Sequence, residues 1–214
     1  MVKLSEVPEK MAQGKALTRA VSVGEPSEHY LFYPLYNPLF RRITQLVSAS
    51  NVNAVIQIGV RKNSRDWPRL WERFSQYDYI LTTDWSGFDT SISPELLRLA
   101  WDILVKAVDL HREEDRILIA NLTNLYEMNF VGGIMHHAGY TLAKEGGIPS
   151  GSILTSIVGS VVNYIVLKAL LSDLPNIKAF EISVYGDDAI VGLNTEDDLV
   201  NPKIKRAFLH RLAM

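Results

Sequence analysis

The chain has 214 residues, 47% of them apolar, with a formal net charge of −2. That length and composition allow one sizeable core or two small lobes and argue against disorder. Cysteine is absent, which excludes structural disulfides and thiolate metal sites and is compatible with a reducing, intracellular environment. Met1 to Lys10 carries charges and no apolar run, so it does not read as a secretory signal. Charge is unevenly divided. Residues 1–75 hold 11 Lys/Arg against 6 Asp/Glu, and residues 76–214 hold 11 against 18. Either this is chance surface charge, or a basic lobe that guides phosphates lies beside an acidic lobe that binds cations.

There is no internal repeat and no low-complexity segment. Residues 1–29 are polar and loop-like. Leu39, Ile43, Leu46 and Val47 recur at helical spacing and predict a helix over 36–50. Arg65 to Ser75 reads as a second helix, and the β-prone run Tyr79 to Thr83 as a buried strand. Ser93 is placed to cap a helix with Pro94 and Glu95 in its first turn. The apolar period of that helix runs through Leu96, Leu99, Ala100, Ile103, Leu104, Ala107 and Val108. Short strands or loops are expected around Tyr126 to Tyr140. Gly146 to Gly151 is a loop that opens onto a long helix from about Ser152 to Leu171. That helix is about one membrane span long, but Thr155, Ser156, Ser160, Asn163 and Lys168 favour a core helix over a transmembrane one. Phe180 to Tyr185 and Ala189 to Gly192 are two strands joined through Gly186-Asp187-Asp188. Strands mixed with long helices predict an α+β fold, a sheet with helices on one face.

Three segments carry chemistry. The first is the hairpin. Gly186-Asp187 at its centre suits a type II′ turn, with Gly in the first central position. Asp187 and Asp188 then lie at an exposed tip, where adjacent carboxylates repel unless a cation sits between them. Hard oxygen ligands on a short tip suit Mg²⁺, although a Gly-Asp-Asp turn by itself is also an ordinary turn. The second is Thr83-Asp84-Trp85-Ser86-Gly87-Phe88-Asp89. Asp84 falls at the end of a strand, where a third carboxylate can complete a two-metal site for phosphoryl transfer. Asp89 either faces the same cleft or caps the helix that follows. The third is the helix after Ser150-Gly151-Ser152. Thr155, Gly159 and Asn163 share one face of it. This polar stripe is either structural glue or the wall of a binding site, and Gly159 allows a close approach.

Taken together these segments resemble the palm motifs of viral RNA-dependent RNA polymerases, in order and in spacing. Asp84-x4-Asp89 resembles motif A, Ser150-Gly151-x3-Thr155-x4-Ser160-x2-Asn163 motif B, and Tyr185-Gly186-Asp187-Asp188 motif C. The phrases around Asp84 to Asp89 and Gly147 to Ser152 lean toward the partitivirus and picobirnavirus kind. Gly159, where many relatives carry Asn, speaks against a picornavirus assignment. The resemblance implies that Asp84, Asp187 and Asp188 position two Mg²⁺ ions, with Mn²⁺ as a substitute. It implies that Asp89 and Asn163 sense the ribose 2′-hydroxyl, joined by Ser150 and supported by Thr155. Lys15 to Val21 resembles the basic motif F, so that Lys15 and Arg19 hold the triphosphate; a solvated charge cluster is the other reading. Gly151, Arg61, Lys62 and Arg65 are candidate RNA contacts, and Arg65, Arg69 and Arg73 either track template phosphates or form a solvated helix face. His136-His137 lacks a third ligand at metal spacing and reads as ordinary fold residues.

The implied division is partial fingers over 1–75 and palm over 76–214. The chain ends 26 residues after Asp188. The family normally continues with motif D, motif E and a thumb, so the expectation is a palm with partial fingers and the thumb missing, and neither Lys203 nor Lys205 is assigned the motif D role. The implied partners are RNA template and product, NTPs and a viral capsid protein. The implied setting is the host cytoplasm, in a virion or replication complex. Two rival readings remain: a non-catalytic RNA-binding fragment, and a reverse transcriptase, against which Asp89 and Asn163 argue.

Overall fold

A computed structural model describes residues 12, 36–37, 41–42, 54–60, 65–83, 85–107, 113–137, 139–201, 203 and 205–206. Its centre is an antiparallel sheet in the order β1-β5-β4, formed by β1 (Tyr79–Thr83), β4 (Ile177–Tyr185) and β5 (Asp188–Thr195). Residues 54–57 extend the β4 edge in parallel, through Gln57 N–H to Val184 O and Val184 N–H to Val55 O, both 2.9 Å. One face carries Leu81, Ile182, Val184, Ala189, Val191 and Leu193, which alternate along their strands as a half-buried sheet requires.

Helix α5 (Thr155–Ser172) packs on β4 from that face. It is long and apolar enough to cross a membrane, but Ile157, Val158, Val162 and Leu171 are at most 1% exposed inside the protein's own core. Helix α3 (Pro94–Ala107) packs in turn on α5. Ser93 Oγ accepts the Leu96 N–H at 3.3 Å, the expected cap. Helix α4 (Glu113–Tyr126) runs directly into a π-helical turn, Glu127–Val131. The Trp101 ring stacks on Tyr126 at 4.5 Å, and Tyr126 on Phe130 at 4.8 Å. Burial raises the pKa of Tyr126, whose hydroxyl donates to Leu97 O at 2.9 Å. A separate two-stranded ribbon, β2 (Ile134–His137) with β3 (Tyr140–Ala143), follows the π turn.

The opposite face of the sheet is held by a polar clamp. Helix α1 (Asp66–Phe74) presents Arg73, whose Nε donates to Glu181 Oε1 at 2.5 Å and whose Nη1 donates to Ala54 O at 3.0 Å. Tyr77 donates to Glu181 Oε2 at 3.1 Å, and its ring fills the space beside Gly192, where a Cβ would fall 2.4 Å from the ring.

Four expectations need correction. Strand β1 is an edge strand among the described residues, with Ile80 and Thr82 exposed, rather than a buried strand. On α3 the buried side chains are Leu97, Ala100, Trp101 and Leu104, while Leu99 and Ile103 are 45% and 41% exposed. The stacked indole selects the inward face. Tyr126 ends a helix and is followed by a π turn, so strands begin only at Ile134. The long helix starts at Thr155, because residues 150–154 form turns. Of the helix expected over 36–50, the described residues 36, 37, 41 and 42 are helical, and Leu39, Ile43, Leu46 and Val47 lie outside the described residues.

Candidate active site

Strands β4 and β5 are joined by Gly186-Asp187 alone, with Tyr185 paired to Asp188. Gly186 has φ +60°, the left-handed backbone a tight hairpin demands at this position. Asp187 and Asp188 are both exposed. The turn is fixed from behind by α5. Ser160 Oγ accepts the Gly186 N–H at 2.8 Å and donates to Ser156 O at 2.6 Å. Asn163 Nδ2 donates to Gly186 O at 3.0 Å and to Asp188 O at 3.3 Å, and Asn163 Oδ1 accepts the Trp85 indole N–H at 2.9 Å. Ser160 and Asn163 are fully buried. Buried amides and hydroxyls need such partners, so in this conformation Asn163 of the polar stripe is glue for the turn, together with Ser160, which lies outside that stripe.

Gly159 sits where all three segments converge. A Cβ there would lie 3.7 Å from Gly186 Cα, 3.7 Å from Ile148 and 3.8 Å from the Phe88 ring, which is ordinary contact. Thr83, the last residue of β1, pairs with Ala189, the residue after Asp188. Its Oγ1 is buried and has no hydrogen-bond partner among the described residues. Asp84 lies outside the described residues. Asp89 falls in the first turn of the short helix α2 (Phe88–Ser91), while Ser93 supplies the cap of α3. The peptide oxygen of Asp89 accepts the Ile148 N–H at 2.6 Å, which ties this turn to the loop before α5.

In that loop Ser150 is exposed and Gly151 half-buried. Thr155 Oγ1 is 2.5 Å from Pro149 O and 2.8 Å from Ser152 O, and so closes the loop onto the helix start. Lys15, Arg19, Arg61 and Lys62 lie outside the described residues. Arg65 and Arg69 are exposed, but Arg73 is committed to Glu181, so the arginine stripe does not continue as one phosphate track. His136 and His137 lie in β2. Among the described residues no group of three His, Cys, Asp or Glu gathers to hold a metal, and the expected set includes Asp84. Sequence reasoning missed Trp85 as the donor to Asn163, since their bond spans 78 positions. The only local hint was its place beside Asp84.

An exposed pair of aspartates on a hairpin, a buried apolar helix bolted to it through Ser160 and Asn163, and an acid-bearing turn after the adjacent strand define a polymerase palm. The family described as viral RNA-dependent RNA polymerase matches residues 23–210. The chain belongs to that family. It is 27% identical over 171 residues to the genome polyprotein of Avian encephalomyelitis virus (strain L2Z), covering 74% of this chain and 8% of that polyprotein. It is 25% identical over 190 residues to the RNA1 polyprotein of Grapevine chrome mosaic virus, covering 82% and 8%. The fold matches the Sicinivirus 3Dpol RNA dependent RNA polymerase with a TM-score of 0.61 at 22% identity, covering 82% of this chain and 35% of that one. The chain thus spans a small part of its relatives.

Proposed function

We propose that this chain carries the catalytic centre of an RNA polymerase that copies an RNA template. The observation that supports this best is the position of the aspartate turn. Ser160 and Asn163 hold Asp187 and Asp188 beside the end of β1, one residue before Asp84 in sequence. The 3′-hydroxyl of an RNA end attacks the α-phosphate of an NTP in line, and pyrophosphate leaves. Asp84, Asp187 and Asp188 would hold two divalent ions, Mg²⁺ or Mn²⁺, for which adjacent exposed carboxylates are suitable hard donors. When bound, the ions supply charge stabilisation at the phosphate and activate the hydroxyl.

Asp89, Ser150, Thr155 and Asn163 form the proposed nucleotide side. Both amide protons of Asn163 are engaged by Gly186 and Asp188, so it can read a 2′-hydroxyl only by accepting from it, beside or in place of Trp85. Lys15 and Arg19 are proposed for the triphosphate, and Gly151, Arg61, Lys62 and Arg65 for RNA. The proposed division remains partial fingers over 1–75 and palm over 76–214. The setting proposed is the host cytoplasm, in a virion or replication complex, with a capsid protein as a further partner. The wording of motifs A and B keeps the partitivirus or picobirnavirus kind as the subfamily proposed.

In the complete polymerase, Asp187→Asn should lower primer extension at least about a thousandfold while leaving unfolding within about 0.5 kcal/mol, since the side chain is exposed. Near-normal extension by that variant overturns the assignment. A second reading is a chain that binds RNA without extending it. Incubating the chain with a primed template, NTPs and Mg²⁺ separates the two, because binding without extension selects the second.

A further inference from the structure

Lys144 lies between β3 and the loop that leads to α5, and its ammonium is aimed at main-chain carbonyls. Nζ donates to Phe130 O and, at 3.3 Å, to Val131 O, the last two residues of the π-helical turn. It also stands 6.0 Å from the centroid of the Phe130 ring, the end of the Trp101–Tyr126–Phe130 stack. Carbonyls at a helix C-terminus attract a cation, and the wider π turn leaves them outside the ordinary ladder. Burial alone brings the Lys144 pKa down to about 8. Nearby on the π turn, Glu127 is occupied by Arg98 of α3, at 2.9 and 3.1 Å from Nε.

The main chain around Lys144 repeats the attachment. Lys144 N–H donates to Gly133 O at 2.8 Å and Gly146 N–H to Val131 O at 3.0 Å. The next two donors turn the other way. Gly147 N–H reaches Ile92 O at 2.8 Å, and Ile148 N–H reaches Asp89 O at 2.6 Å. Residues 144–148 are therefore stitched to the π turn at one end and to the Asp89 turn at the other, immediately before Ser150 and Gly151.

We propose that Lys144 is a positioning residue for the Ser150-Gly151 loop: its side chain clips the end of β3 to the π-helical turn, so that the loop meets RNA from a fixed seat. The meeting with RNA rests on the polymerase reading; the clip does not. Amide hydrogen exchange on the chain itself tests the clip. In Lys144→Met the amides of Gly146, Gly147 and Ile148 should exchange about tenfold faster, through loss of the hydrogen bonds to Phe130 O and Val131 O, with β4 and β5 unchanged. Lys144→Arg, which keeps the charge and the donors, should stay within about threefold of wild type.

In the complete polymerase, Lys144→Met should raise KM for primed template about tenfold with kcat within about threefold, and Lys144→Arg should restore KM. Unchanged exchange in Lys144→Met, exchange that accelerates equally across the sheet, or exchange in Lys144→Arg as fast as in the Met variant each overturns the clip. Should Lys144→Met fail to fold, Lys144→Gln, which is neutral and shorter, takes its place: the same acceleration is expected, and unchanged exchange overturns the clip. Absence of extension by the wild-type polymerase removes the polymerase reading and leaves the exchange result standing.

Discussion

Two turns reach the candidate active site, and they are held in opposite ways. The Gly186-Asp187 turn is held by side chains: Ser160 takes its N–H, and Asn163 takes two of its carbonyls. The Gly146–Ile148 segment is held by peptide groups, which bond Val131, Ile92 and Asp89 directly. A turn held by side chains can be released from a distance, by a change on the helix behind it. A segment held by peptides is sensitive to few side chains, of which Lys144 is the one proposed above, and is otherwise vulnerable where a Cβ would intrude. The carboxylate tip thus depends on the identity of buried polar residues, and the loop depends on its glycines and on the proposed Lys144 clip.

The largest effect that tests this contrast is expected at Asn163. In Asn163→Ala the Trp85 indole N–H and the carbonyls of Gly186 and Asp188 lose a buried partner. At about 1 kcal/mol for each hydrogen bond lost, denaturant unfolding should show a loss of about 3 kcal/mol. A loss under about 1 kcal/mol would mean that the tip does not need the helix.

Gly146→Ala probes the other mode and should be somewhat milder, about 2 kcal/mol, from left-handed backbone strain and overpacking together. Its φ is +78°, and a Cβ would fall 2.6 Å from Ile92 O and 3.0 Å from Pro94 Cδ. Gly186→Ala is the control. Its φ of +60° carries the same strain, yet a Cβ there meets nothing within 4 Å, so about 1 kcal/mol is expected by the same measurement. Equal losses at the two glycines would erase the distinction between the turns.

How legible each region was in the sequence follows the same division. The β4–β5 hairpin could be read because its signals are local: apolar runs on both sides of a Gly-Asp turn. Pairing extends past the apolar pattern at the far ends, Ile177 and Thr195, and at Asp188, which opens β5 instead of lying in the connection, since pairing continues into polar residues. Asn163 was found from its helical spacing, but whether it was glue or wall depended on what lay opposite. That is Gly186, 23 positions away. The π turn was illegible, because its carbonyls are met by Lys144 and Gly146 across a hairpin. The inward face of α3 was misjudged for a similar reason, as Trp101 is drawn in by Tyr126 from another helix. The acidic opening Glu113-Glu114-Asp115 suits a helix N-terminus but was not recognised as one.

The smallest expected effect concerns Lys144 and pH. Its pKa is about 8 in the folded chain against 10.5 for an ordinary lysine, because burial disfavours the charged form. Between those values the unfolded chain binds more protons than the folded one, so this residue makes the fold more stable as pH rises from 8 to 10.5. The neutral amine keeps two N–H donors for the two carbonyls, so the clip survives the titration. Lys144→Met removes the proton and the donors together. The stability of wild type minus variant should therefore widen by about 1 kcal/mol across that window, after allowance for solvent screening. Taking the difference cancels tyrosines and other lysines that titrate in the same range. A gap that stays flat with pH would place the Lys144 side chain in solvent, and a gap that narrows would mean that the charge itself, rather than the donors, carries the attachment to the π turn.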